Sequence, residues 1–258
     1  MVILEMLSPL PLTSREDGRD LLALWQTLIP ELLPDYYGNW EPIDRTFDRQ
    51  NIDAALDQWK WGFLTVKRHP FVDAQVWMRR GAQQQLHATV IFSTEPKLAT
   101  CDRLREFLGA ASMRLRADFA CLHLMTQAEY QRGRSNKTVR ASDKQGKNRH
   151  FFLASMDLKQ RIPDLYWATV LGAPYLEMFG KNNILSAPAY SARSLSNDQI
   201  ILQMTENLTD VEKHPEVFDE VRSRVKDHLG KEAFFDIGNE ASHVYRVPTF
   251  KFFNESGL

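Results

Sequence analysis

The sequence is poor in cysteine: Cys101 and Cys121 are the only two in 258 residues. Neither belongs to a CxxC pair or a metal-ligand spacing, so a disulfide framework is excluded and two buried free thiols in a reducing compartment are expected. Long hydrophobic runs are also missing. The most apolar stretch, LYWATVLGAPYLEMFG at 165–180, contains Glu177, Gly172 and Pro174. It falls short of the ~18 apolar residues a membrane-spanning helix requires. The first residues, MVILEMLSPLPLTSRED, have no basic segment, and Glu5 interrupts their apolar run, so no signal peptide is expected. A cytoplasmic location follows as the expectation. Signature motifs are absent as well: no GxSxG, HExxH, GxxxxGK[ST] or GxGxxG. There are no internal repeats and no low-complexity tract.

What is present is an ordinary globular composition, 43% hydrophobic and 25% charged, enough to bury a core without cross-links. Net charge is −1, but its distribution is uneven. Residues 131–150 carry Arg132, Arg134, Lys137, Arg140, Lys144, Lys147 and Arg149 against Asp143, so the remainder of the chain is acidic. Two patches hold much of that acid. Residues 31–57 contain seven carboxylates against Arg45 and Arg49. Residues 205–220 contain Glu206, Asp210, Glu212, Glu216, Asp219 and Glu220 against Lys213.

Periodicity predicts a first helix over 14–29, with Ser14 as N-cap, Asp17 three residues on, and Leu21, Leu24, Trp25 and Leu28 on one face. An aromatic loop follows at 32–47, then a helix over 50–59. Strands are expected at 74–80 and 86–93 as a hairpin about Gly81-Ala82, at 119–126, at 150–155 and at 198–205, with 242–250 as an edge strand. Helices are expected at 97–115 and 215–229, the latter with Val217, Val221, Val225 and Leu229 stacked four apart and Gly230 as its C-cap. At 163–180, Trp167, Leu171, Tyr175 and Phe179 recur every four residues around Gly172 and Pro174. That spacing predicts one kinked helix or two short ones, buried against the sheet. Strands and helices mix without a strict βαβ rhythm. The fold class is α+β, with a mixed, largely antiparallel sheet packed with helices. Residues 1–160 and 161–258 read as two halves, or as one continuous domain.

Candidate chemistry is sparse. His87 and His123 lie on expected strands, where two imidazoles can share a metal, but spacing suggests no third ligand. Asp35 with Glu41, and Asp164 with Glu177, are the carboxylate pairs a nuclease would use. Neither pair has a lysine two residues after the acid, and Asp164 reads as favouring a helix dipole. The basic segment 131–150 suits phosphate contacts, but it lacks stacking aromatics. Clustered carboxylates repel nucleic acid, yet complement the basic cleft of a protein that binds it.

IPDLYW at 162–167, G-x-P-Y-x-E-x-F-G at 172–180 and LSAPA at 185–189 form one set of motifs. LLPDYYGNWEPIDRTF at 32–47, KRHP at 67–70 and HLG…FFD…YRVPTF at 228–250 form another. In this order they resemble the immunity protein 52 family of bacterial polymorphic-toxin and type VI secretion systems, over about residues 32–250. The resemblance implies an antidote without catalysis, cofactor or metal, whose partner is a cognate toxin with a restriction-endonuclease-fold DNase domain. Tyr37, Gly38, Trp40, Pro42, Trp167, Gly172, Pro174, Tyr175 and Gly180 carry the family pattern and read as fold-makers. Charge nominates Glu206, Asp210, Glu212, Glu216, Asp219 and Glu220 as the toxin-contacting surface. Tyr36, Tyr37, Trp40 and Glu41 form a second candidate patch. Two other readings stay open: a metal-dependent hydrolase or nuclease, and a nucleic-acid-binding adaptor that uses 131–150.

Overall fold

The computed structural model describes residues 1–68, 71–79, 86–95, 101–126, 129, 153–162, 164–235 and 245–253. Ten strands and eight α-helices lie among them, and every strand pair with a defined register is antiparallel. The fold is α+β, as expected. Among the described residues no helix is long and apolar enough to cross a membrane. The chain forms two compact units, Met1–Leu122 with Lys251–Leu258, and His123–Phe250, where the sequence reading divided it near 160.

The first unit holds β1 (Val2–Ser8), α1 (Arg15–Leu28), β2 (Tyr36–Gly38), β3 (Arg45–Thr46), α2 (Asp53–Trp59), β4 (Phe63–Lys67), β5 (Val72–Trp77), β6 (Ala88–Thr94) and α3 (Cys101–Arg114). β7 (Phe119–Leu124) begins in it, and the strand order is β3-β2-β4-β5-β6-β1-β7. α1 starts at a full capping box: Ser14 Oγ accepts from Asp17 N at 3.0 Å, and Ser14 N donates to Asp17 Oδ2 at 3.2 Å. The helices cover one face of the sheet. Trp25 of α1 meets the Phe92 ring of β6 edge-on at 5.0 Å, and Phe107 of α3 lies 6.2 Å from the same ring. Leu104, Phe107, Leu108 and Ala111 form one apolar face of α3, which is buried throughout. The hairpin of β5 and β6 forms with Ala74 opposite Phe92 and Val76 opposite Val90.

Two readings of this unit are corrected. The aromatic loop at 32–47 contains paired strands, β2 and β3, because Tyr37 is drawn inward to stack on Phe63 at 5.9 Å. β1 was not anticipated at all. It lies between β6 and β7 and is buried along its whole length, so it shows no polar–apolar alternation to read.

The second unit contains α4 (Ser155–Leu158), β8 (Ala168–Leu171), α5 (Ala173–Phe179), α6 (Lys181–Leu185), β9 (Ser191–Ser196), β10 (Gln199–Gln203), α7 (Asp210–Lys213) and α8 (Pro215–Leu229). Its strands run in the order β8-β10-β9. The stretch at 163–180 is not a kinked helix. Ala168–Leu171 is strand, Gly172 is the N-cap with extended backbone, and Pro174 sits in the first turn of α5, where its missing N–H costs nothing. Trp167, Leu171, Tyr175 and Phe179 are all buried, but from a strand and a helix in succession. Residues 153–154 are irregular before α4, and 245–250 form no strand, so the expected strands at 150–155 and 242–250 are not found in their described parts. β9 was missed, being a largely exposed hairpin partner of β10 without apolar periodicity.

α8 ends at Gly230, whose φ of 100° suits a residue without a side chain. Its buried face is Phe218, Arg222, Val225 and Leu229, and Val217 is 54% exposed. The valine stripe is therefore rotated. Phe218 takes the buried side with Val225 and Leu229, and Arg222 on the same face points inward to pair with buried Asp164, which Lys226 also reaches at 2.6 Å. Asp164 anchors α8 and does not serve a helix dipole.

Candidate functional site

The acidic run 205–220 folds around the end of β10. The Gln203 side-chain amide donates to the carbonyls of Thr205 and Glu206 at 2.8 and 3.0 Å. Thr205 Oγ1 donates to Asn207 O at 3.1 Å, and Asn207 N donates to Asp210 Oδ2 at 3.1 Å. These bonds fix the turn and turn Glu206 outward. Beside it lies a groove of about 390 Å³. Met204 forms part of its wall, Tyr190, Val217 and Val221 add exposed or half-exposed apolar surface, and Glu206 and Asp210 contribute carboxylates. His214 and Arg224 line it too.

The six acids nominated from charge thus separate by environment. Glu206 and Asp210 line the groove. Glu212, Glu216 and Glu220 are exposed, but His214 breaks the chain between α7 and α8, so the three do not share one continuous helix. Asp219 is half-buried and holds Arg222 at 3.1 Å. In the second patch, Tyr37 is 5% exposed and belongs to the core with Phe47 and Phe63. Tyr36 is half-buried, and Trp40 and Glu41 face solvent.

The two histidines considered for a metal site have carboxylate partners. His87 Nε2 lies 3.0 Å from Asp118 Oδ2, both buried, and burial raises the Asp118 carboxyl while His87 opposes the shift. The backbone N–H of Trp167 donates to His123 Nδ1 at 3.3 Å, which leaves Nε2–H facing Glu129 Oε1 at 3.3 Å. Glu129 Oε2 in turn accepts from the backbone and hydroxyl of Thr126, each at 2.7 Å. Among the described residues no three His, Cys, Asp or Glu side chains gather as a metal cluster. The basic segment 131–150 lies outside the described residues.

Sequence reading missed a second concavity, in the first unit, of about 340 Å³ lined by Trp40, Glu41, Ile43, Leu64, Asp73, Gln75 and Trp77. Its signal is the alternation Asp73, Gln75, Trp77 along one face of β5, which the expected strand at 74–80 cuts short by leaving out Asp73.

No family model matches the chain, and no curated protein matches it. Among solved structures, a T6SS protein of Pseudomonas aeruginosa superimposes with a TM-score of 0.55. The match covers 87% of this chain and 72% of that one, at 12% sequence identity. The two share a fold.

Proposed function

We propose that the protein is a cytoplasmic immunity protein that binds and neutralises a cognate secreted nuclease toxin, without catalysis of its own. The observation that carries this reading is the acid-lipped apolar groove of the second unit, with Glu206 and Asp210 at its wall and Glu212, Glu216 and Glu220 exposed nearby. A nuclease must present a cationic, phosphate-attracting surface. A concave surface with carboxylates and accessible apolar side chains complements it, giving steering from the charges and affinity from the buried centre. The motif resemblance to the immunity protein 52 family supports the same reading. So does a fold shared with a protein of the T6SS.

The test is co-expression of the toxin domain encoded beside this gene, with and without this protein, followed by purification through a tag on one partner. Survival only in its presence, with co-elution of the two, is expected. Replacing Glu206 and Asp210 by Lys should abolish both rescue and co-elution. Killing that continues in the presence of the intact protein, with nothing co-eluting, would end the immunity reading.

A further inference from the structure

The pocket of the first unit has a chemistry of its own. Leu64 lies opposite Gln75 and Val66 opposite Asp73, so alternation puts Asp73, Gln75 and Trp77 on the same face as Leu64. The turn between β2 and β3 brings Trp40, Glu41 and Ile43 to this face. Trp40 is 75% and Trp77 46% exposed, a large indole surface to leave in water. Trp77 is also oriented: its Nε1–H donates to Gln75 Oε1 at 3.1 Å, and Gln75 Nε2 donates to Asp73 Oδ2 at 3.1 Å. This chain of bonds aligns one indole with one carboxylate.

Among the described residues the lining contains two carboxylates, two indoles, an aliphatic floor, and no Lys or Arg. Aromatic faces attract cations, and a guanidinium both stacks on an indole and donates paired N–H bonds to a carboxylate. Glu41 and Asp73 would repel a phosphate here. We propose that the Trp40–Trp77 pocket seats an arginine side chain of a protein partner. Its volume, near the lower end of small-ligand sites, fits one long side chain rather than a folded element. Asp73 is half-buried, and burial raises its carboxyl above the usual range. A cation placed against it offsets that cost.

This pocket stands on its own residues and does not depend on the immunity reading, so its test uses no toxin. The full-length protein, labelled with ¹⁵N and with its six tryptophan indole resonances assigned by single Trp→Phe changes, is titrated with acetyl-Gly-Arg-Gly-amide. The leucine and lysine analogues are titrated in parallel. Saturable shifts confined to the Trp40 and Trp77 indoles are expected, with about tenfold weaker binding of the leucine peptide and a clear preference for arginine over lysine. Glu41→Gln with Asp73→Asn should weaken arginine binding by about tenfold or more while the other indoles keep their positions. Trp40→Ala, at an exposed site, should do the same without altering the fold. Equal binding of the leucine peptide would make the site a plain apolar groove and overturn the proposal. Indifference between lysine and arginine would overturn the guanidinium assignment, and absence of any shift would overturn the site.

Discussion

Glu5 sits in the middle of β1, opposite Ile91, and is 6% exposed. Burial pushes its carboxyl from 4.5 up to about 8. A charged carboxylate with so little water around it would cost several kcal/mol, and the side chain avoids that by holding its proton. The neighbouring Cys121 thiol is pushed up too, first by burial and then by Glu5, so it stays protonated and unreactive. Between pH 4.5 and about 8 the folded chain keeps a proton that the unfolded chain has released. Stability from this site therefore falls as pH rises through that window. At about 1.4 kcal/mol per pH unit, the full loss is on the order of 4–5 kcal/mol. Glu5→Gln removes the titration and keeps the shape. Calorimetric Tm values for the variant and the parent should lie close together at pH 5, and the variant should melt distinctly higher at pH 8. Parallel Tm–pH curves would mean that Glu5 is not the protonated buried acid described.

At the scale of elements, α1 and α2 meet where Gly18 faces Trp59. A Cβ on Gly18 would lie 2.5 Å from Trp59 Cδ2 and 2.8 Å from Cγ. The indole cannot retreat: it is 1% exposed, donates Nε1–H to Leu12 O at 2.9 Å, and packs on Phe63 at 5.1 Å. Helix propensity favours Gly18→Ala by about 1 kcal/mol, whereas overpacking opposes it by about 1–3 kcal/mol. We expect the clash to win, lowering the urea midpoint of the first unit as followed by tryptophan fluorescence. A raised midpoint would place Trp59 elsewhere. Legibility at this scale depended on one-sided burial. α3 buries the apolar stripe that its spacing shows, and α1 was readable with its Ser14 cap, although its fully buried side is Gly18, Leu21, Leu22 and Trp25 and the expected Leu24 and Leu28 are half-buried. β1 and β8 are buried on both faces, so β1 showed no pattern, and β8 merged with α5 into an apparent helix. α8 was placed along the chain correctly but rotated. Phe218, Val225 and Leu229 in PEVFDEVRSRVKDHL share the face of Arg222, but a charged side chain there reads as an interruption until Asp164 stands opposite it.

For the molecule as a whole, the charge imbalance was legible from composition, but the two concavities were not. Each needs residues far apart in the chain: Tyr190 with Val217 in one, Trp40 with Trp77 in the other. The acids of the second unit occupy two distinct environments, and the proposed toxin encounter would use them in two ways. Exposed Glu212, Glu216 and Glu220, outside the groove lining, would then act at a distance by steering. Glu206 and Asp210, which line the groove, would act by direct contact. Reversing the first three to Lys should therefore lower the association rate by about tenfold at low ionic strength and flatten its salt dependence, leaving dissociation nearly unchanged. Above roughly 0.5 M salt, where screening lengths shrink to a few ångströms, the variant and the parent should associate at similar rates. Glu206→Gln with Asp210→Asn should do the opposite, speeding dissociation while association at moderate salt changes little. Stopped-flow association and surface-based dissociation across a salt series separate the two effects. If both sets of changes act only on dissociation, the outer acids are contact residues and the interface is wider than the groove. If neither set acts on any rate, the toxin does not bind this face.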